Sequence, residues 1–167
     1  SISTYRNQYA ICLFNVGRHE EAITEWRAIT SYTPMAKPSL GQEVQGDPLG
    51  CELSFLSSAL HSLGRYEEAL EAATRMVEYC PIEDGGWSNQ SHVLSSLGRH
   101  EEALKSAQKA VELDGDNVSN LIQAASCASE LGQHQDALKY TLQALDIEKS
   151  PETRYWRALV LAQAGSE

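Results

Sequence analysis

Apolar residues recur along most of this chain at steps of three and four, the spacing that places them on one face of a helix. Leu53, Leu56, Leu60 and Leu63 form one such run. His100, Ala103, Leu104, Ala107, Ala110 and Val111 form another. The every-second-residue alternation of a half-buried strand is sustained nowhere at useful length. The pattern predicts an all-α chain.

The runs are punctuated by one phrase written four times: VGRHEEAI at 16–23, LGRYEEAL at 63–70, LGRHEEAL at 97–104 and LGQHQDAL at 131–138. Its glycines, Gly17, Gly64, Gly98 and Gly132, are continued by Gly165, with gaps of 47, 34, 34 and 33 residues. A unit of 34 residues therefore repeats, with 13 extra residues between the first and second copies. Each copy reads as two helices. Glycine stops the first, since it enters the left-handed cap conformation without a Cβ penalty. The acidic pairs Glu20–Glu21, Glu67–Glu68 and Glu101–Glu102 then suit the positive end of a second helix. Glu71 to Arg75 and Glu101 to Lys105 are expected to add exposed i,i+4 pairs. Pro34 and Pro81 close the second helix of the first two copies. The expected architecture is one domain with repeats at 3–34, 50–83, 84–117 and 118–150, a partial repeat at 151–167, and an insertion at about 35–49. That makes nine helices, the last at roughly 151–164.

Composition narrows the choice of partner. Acidic residues outnumber basic ones by 23 to 13, for a net charge of −10, so the basic footprint that nucleic acid or an anionic membrane demands is missing. No apolar run approaches the roughly 20 residues of a membrane span, and no charged-then-apolar leader opens the chain as given. The four cysteines, Cys12, Cys51, Cys80 and Cys127, are too widely spaced for a zinc pair. They are expected to be buried free thiols in a reducing, cytoplasmic compartment. There is no phosphate-binding glycine loop, no GxSxG, no HExxH and no calcium loop, so neither catalysis, a metal nor a cofactor is expected.

These residues carry a resemblance. The chain resembles the tetratricopeptide repeat (TPR) proteins over essentially its whole length, on the 34-residue helix–turn–helix unit. Trp87 stands eleven before Gly98, Tyr66 two after Gly64, and Ala22, Ala69, Ala103 and Ala137 five after their glycines. His19, His100 and His134 stand where Tyr66 stands, and Gly115 and Lys149 replace the closing proline. Those three histidines are expected to pack in place of tyrosine, with the second ring nitrogen on a neighbouring backbone group. Trp26 is expected in the core, and Cys12 and Cys127 as buried small residues.

The resemblance implies a right-handed α-solenoid of about four and a half repeats that binds a protein or peptide in a concave groove lined by first helices. The positions it carries over to this sequence are Asn7, Ser54, Ser58, His61, Ser88, Asn89, His92, Ser126 and Ser129. TPR cochaperones that grip a terminal carboxylate use Lys, Asn and Arg on successive first helices. Here Asn89 alone sits at such a slot with such a residue, so a free carboxylate is disfavoured. Small hydroxyls and two imidazoles suit a peptide backbone or a closely approaching helix.

A protein-interaction scaffold is therefore expected. Its alternatives are a sensor or regulatory module of a larger regulator, or a self-associating structural element. The insertion MAKPSLGQEVQGDPL is expected to be a surface loop, or else an arm that docks on a partner or on the groove. The last helix carries Tyr155, Trp156, Leu159, Val160 and Leu161 on more than one side, so homo-oligomerisation through the C-terminal end is expected.

Overall fold

The computed structural model describes residues 2–32 and 48–165. Among them are nine helices and no strand: α1 (Ile2–Asn15), α2 (His19–Tyr32), α3 (Pro48–Ser62), α4 (Tyr66–Tyr79), α5 (Asp84–Ser96), α6 (His100–Leu113), α7 (Val118–Glu130), α8 (His134–Ile147) and α9 (Pro151–Ala164). The insertion expected at about 35–49 lies largely outside the described residues, and α3 begins at Pro48.

Each pair of helices is joined by the same turn. Gly17, Gly64, Gly98 and Gly132 have φ of +83°, +74°, +72° and +69°, the left-handed region that a Cβ disfavours. In each turn two bonds close the first helix in a Schellman cap: at the second pair Gly64 N donates to His61 O and Arg65 N to Leu60 O, both at 2.9 Å. An added Cβ at any of the four would meet nothing within 4 Å. The glycines are thus required for backbone conformation and not for space.

The chain forms two compact units, Ser1–Pro81 with α1–α4 and Ile82–Glu167 with α5–α9. Within each unit consecutive helices pack on one another, and each first helix also touches the next, α1 on α3, α5 on α7 and α7 on α9. Ala22, Ala69, Ala103 and Ala137 are fully buried, because at that point of the second helix nothing larger than a methyl leaves room for its partner. The first unit has an apolar cluster of Leu49, Leu53, Met76, Tyr79 and Cys80. The stripe expected on the third copy's second helix is present, with Ala103, Leu104, Ala107 and Ala110 buried.

Two slots on the first helices form the seam to the preceding pair. Five before the glycine stand Ala59, Cys127 and Val160, all buried. Twelve before it stand Glu52, Asn120 and Thr153, also buried although polar. Thr153 Oγ1 donates to Glu148 O at 2.7 Å, and Asn120 Nδ2 reaches Ala110 O at 3.5 Å. A polar seam residue thus satisfies carbonyls that the end of the preceding second helix leaves open.

Several expectations are corrected. Cys127 and Cys80 are buried, but Cys12 and Cys51 are exposed. Cys12 occupies the seam slot of α1, and no helix precedes α1 among the described residues. His19 and His100 do not place a second nitrogen on backbone: among the described residues the buried Nδ1 of each has no hydrogen-bond partner. In those turns Phe14 O and Leu13 O accept from Gly17 and Arg18, and Ser95 O and Leu94 O from Gly98 and Arg99. The His19 ring instead lies 4.7 Å from that of Phe14. Arg75 does not pair with Glu71; its Nη2 donates to Thr30 O at 3.1 Å, near the end of α2.

Candidate functional site

In the second unit, α5, α7 and α9 form one layer and α6 and α8 the other. The seam between α5 and α7 is polar. Gln123 Nε2 donates to Ser91 Oγ at 3.3 Å and to Ser95 Oγ at 3.4 Å. Both hydroxyls also lie within hydrogen-bond reach of Cys127 Sγ, at 3.7 and 3.2 Å. Ser91 and Cys127 are sealed from solvent, whereas Ser95 and Gln123 are half-buried. The amide of Gln123 therefore locks the register of the two helices from the open side. At the start of α5, Asp84 Oδ2 accepts from Asn120 at 2.7 Å and from Asn117 at 3.1 Å, fixing the same helices at their other end.

The residues expected on this face are arranged around that seam. His92 is exposed; Ser88, Asn89 and Ser126 are half-buried. Ser129 donates to Gln163 Oε1 in a short bond that joins α7 to α9. Its hydroxyl is part of the wall.

The first unit presents a different surface. Asn7 accepts a 2.9 Å bond from the indole of Trp26, which is buried as expected. Phe55 stacks on that indole with ring centroids 5.7 Å apart and planes 10° from parallel, while remaining 41% exposed. Ile11 and Phe14 are half-buried. Ser58 is exposed and Ser54 half-buried on α3, and the His61 ring tilts onto Tyr66 at 5.2 Å. The hydroxyls of this unit therefore border an aromatic floor.

Phe55 and Gln123 are missing from the sequence-derived site. Both stand nine before their glycine, as Asn89 does. Comparing copies at that slot finds them, because it is where neighbouring first helices meet.

Electrostatically the first helices are sparse. α3, α5 and α7 contain no Lys or Arg, Arg6 of α1 faces Glu25 at 3.6 Å, and α9 carries Arg154 and Arg157. Cations gather instead around the second helices. The Arg after each of the first three glycines grips a Glu three residues on with two bonds: Arg18 with Glu21 at 2.6 and 2.5 Å, Arg65 with Glu68 at 2.7 and 2.8 Å, Arg99 with Glu102 at 2.7 and 2.6 Å. Arg65 also reaches Glu20 at 2.9 Å, and Arg27 pairs with Glu68. Hydrogen bonds from Arg65 and then Arg27 hold the Glu68 carboxyl down at about 2. An open cleft of about 410 Å³ beside this network is lined by Arg27, Thr30, Glu68, Glu71 and Arg75, charges of both signs. Among the described residues no cluster of His, Cys, Asp and Glu could hold a metal ion, and no helix is long and apolar enough to cross a membrane.

Comparison with known proteins agrees with this architecture. The tetratricopeptide repeat family model matches residues 85–117, which take in nearly all of α5 and the whole of α6. The solved structure of TTC0263, a thermophilic TPR protein of Thermus thermophilus, is similar with a TM-score of 0.73 at 22% identity, covering 98% of this chain and 83% of that one. YrrB, described as a TPR protein with an unusual peptide-binding site, is similar with a TM-score of 0.71 at 16% identity, over 94% of this chain and 75% of its own. The second TPR domain of human RPAP3, solved by NMR with the HSP70 peptide SGPTIEEVD, is similar with a TM-score of 0.63 at 18% identity, over 67% of this chain and 94% of its own. No curated protein matches the chain in sequence. The fold is all-α, built of tetratricopeptide-type units.

Proposed function

We propose that this chain, an array of tetratricopeptide-type helix pairs, is a non-enzymatic scaffold that binds protein segments on its first helices. In the second unit the site is the face of α5 and α7 around Ser88, Asn89, His92 and Ser126, with Gln123 at its centre and Ser129 in its wall. In the first unit Ser54, Ser58 and His61 border the apolar floor of Phe55, and Asn7 supports that floor through Trp26. The observation that carries the reading is the absence of Lys and Arg from α3, α5 and α7. A surface of hydroxyl, amide and imidazole groups hydrogen-bonds to an extended backbone or a partner helix and offers a terminal carboxylate no charged partner. The bound segment is thus recognised inside its sequence and not by its end. YrrB and the RPAP3 domain, whose structures concern peptide binding, support the class of function.

The test is a peptide-display selection against the whole chain, followed by titration of the selected peptides with free and amidated C-termini. Equal affinity for the two forms, lost on His92→Glu, is the expected result. Binding that requires the free carboxylate, or that ignores His92→Glu and His61→Glu alike, overturns the reading.

A further inference from the structure

The first unit carries two aromatic side chains at slots where the other copies do without them. Trp26 stands nine after its glycine, and Ala73, Ala107 and Thr141 stand nine after theirs, all buried. Phe55 stands nine before its glycine, where α5 and α7 place Asn89 and Gln123. A helix pair of this kind therefore packs without either ring. Together the rings build a platform that the seam of α5 and α7 lacks. The buried indole lies with its centroid 6.0 Å from that of Phe14 and 5.7 Å from that of Phe55, and its N–H is tied to Asn7. It backs Phe55 within 10° of parallel, so the plane of the outer ring is set before anything binds. With 41% of its surface exposed, Phe55 keeps an open side toward solvent.

We propose that the open side of Phe55 receives an arginine of the bound segment, its guanidinium stacked on the ring. This rests on the reading of the first helices as a surface for protein segments, and it names the side chain that the first unit selects. Three observations choose arginine. The first is the shape of the platform. A single ring beside the polar Ser54 and Ser58 is not a pocket, and an aliphatic side chain laid on it stays wet over most of its surface. A planar guanidinium instead meets the negative face of the ring and keeps its edge N–H groups free to donate. Ser58, three residues on and exposed, offers the hydroxyl oxygen to accept. The second observation is charge: a chain at −10 attracts a cationic segment. The third is that the unit's own arginines are engaged elsewhere. Arg6 faces Glu25, Arg18 holds Glu21, Arg27 and Arg65 hold Glu68, and Arg75 donates to Thr30 O. α3 itself has no Lys or Arg, so no cation on the helix of Phe55 repels the incoming one.

The test passes amidated nonapeptide pools, degenerate except for a central Arg, Lys, Leu, Phe or Glu, over the immobilised 167-residue chain at moderate salt. The Arg pool is expected to be retained best. Phe55→Leu keeps an apolar side chain and removes the ring face. It is expected to lower the ratio of the Arg pool to the Leu pool about fivefold, and Phe55→Tyr to restore it. Circular dichroism checks that the variants keep their helices. Should Phe55→Leu lose them, NMR of the wild-type chain decides: in a peptide recovered from the Arg pool, the arginine δ-methylene protons move upfield over the ring. A Leu, Phe or Lys pool retained as well as the Arg pool, an Arg preference that survives Phe55→Leu, or arginine protons that do not shift overturns the proposal. Pools retained without preference overturn it and leave the segment-binding reading standing, whereas retention of no pool removes both.

Discussion

Trp26 Nε1 donates to Asn7 Oδ1 at 2.9 Å, tying α2 to α1 across nineteen residues. The indole is 1% exposed, so its N–H has no access to water if Asn7 is removed. A buried donor left unsatisfied costs about 1–3 kcal/mol. Asn7→Leu is therefore expected to destabilise the protein by that amount in urea unfolding followed by Trp fluorescence. An unchanged midpoint would show that the bond contributes nothing, and would return Asn7 to the list of groups available to a ligand.

Gly98→Ala forces a Cβ into the left-handed region with no compensating contact, since the space around it is open. The expected cost is about 1–2 kcal/mol from backbone strain alone. Gly165 has φ of −90°, which any residue adopts, so Gly165→Ala carries no such strain. Chemical denaturation of the two variants side by side should separate them; equal losses would contradict the argument.

The Glu68 carboxyl titrates near 2 in the folded protein against an ordinary 4.5, chiefly because Arg65 and then Arg27 donate to it. A depressed folded value stabilises above the unfolded one and loses that contribution as pH falls through the folded one. The stability difference between the wild type and Glu68→Gln is therefore expected to be constant above about pH 4.5 and to vanish toward pH 2. The groups are solvent-exposed, so the difference is small and shrinks with added salt. A difference that grows on acidification would refute the assignment.

Peptide affinity for the second unit should change little with ionic strength, because α5 and α7 supply no cation to be screened. Fluorescence anisotropy at low and moderate salt measures it directly, and a tenfold loss would mean that charges elsewhere carry the binding.

Much of the fold was legible because the turn writes itself into the sequence. Gly17, Gly64, Gly98 and Gly132 each require a residue without Cβ, and the buried alanine five places later fixes the helix crossing. The fate of Cys12 was not legible. Its slot is buried wherever another first helix precedes it, and spacing within one repeat says nothing about that neighbour. The histidines after the glycines were half read: their packing follows from the tyrosine at that position, but not that the Nδ1 of His19 and His100 would be buried without a partner. The Arg that clasps each Glu was missed because GRxEE reads first as a helix start, and a bidentate contact three residues apart shows only once the backbone is placed.

Three of the four glycine turns carry that clasp. At the fourth, Gln133 and Asp136 stand where the others have Arg and Glu, and no ion pair joins them among the described residues. The start of α8 then lacks the guanidinium that pins the first turn of α2, α4 and α6. Amide protons around Ala137 should exchange ahead of those around Ala103, giving the second unit a graded order of opening in which its C-terminal half lets go first.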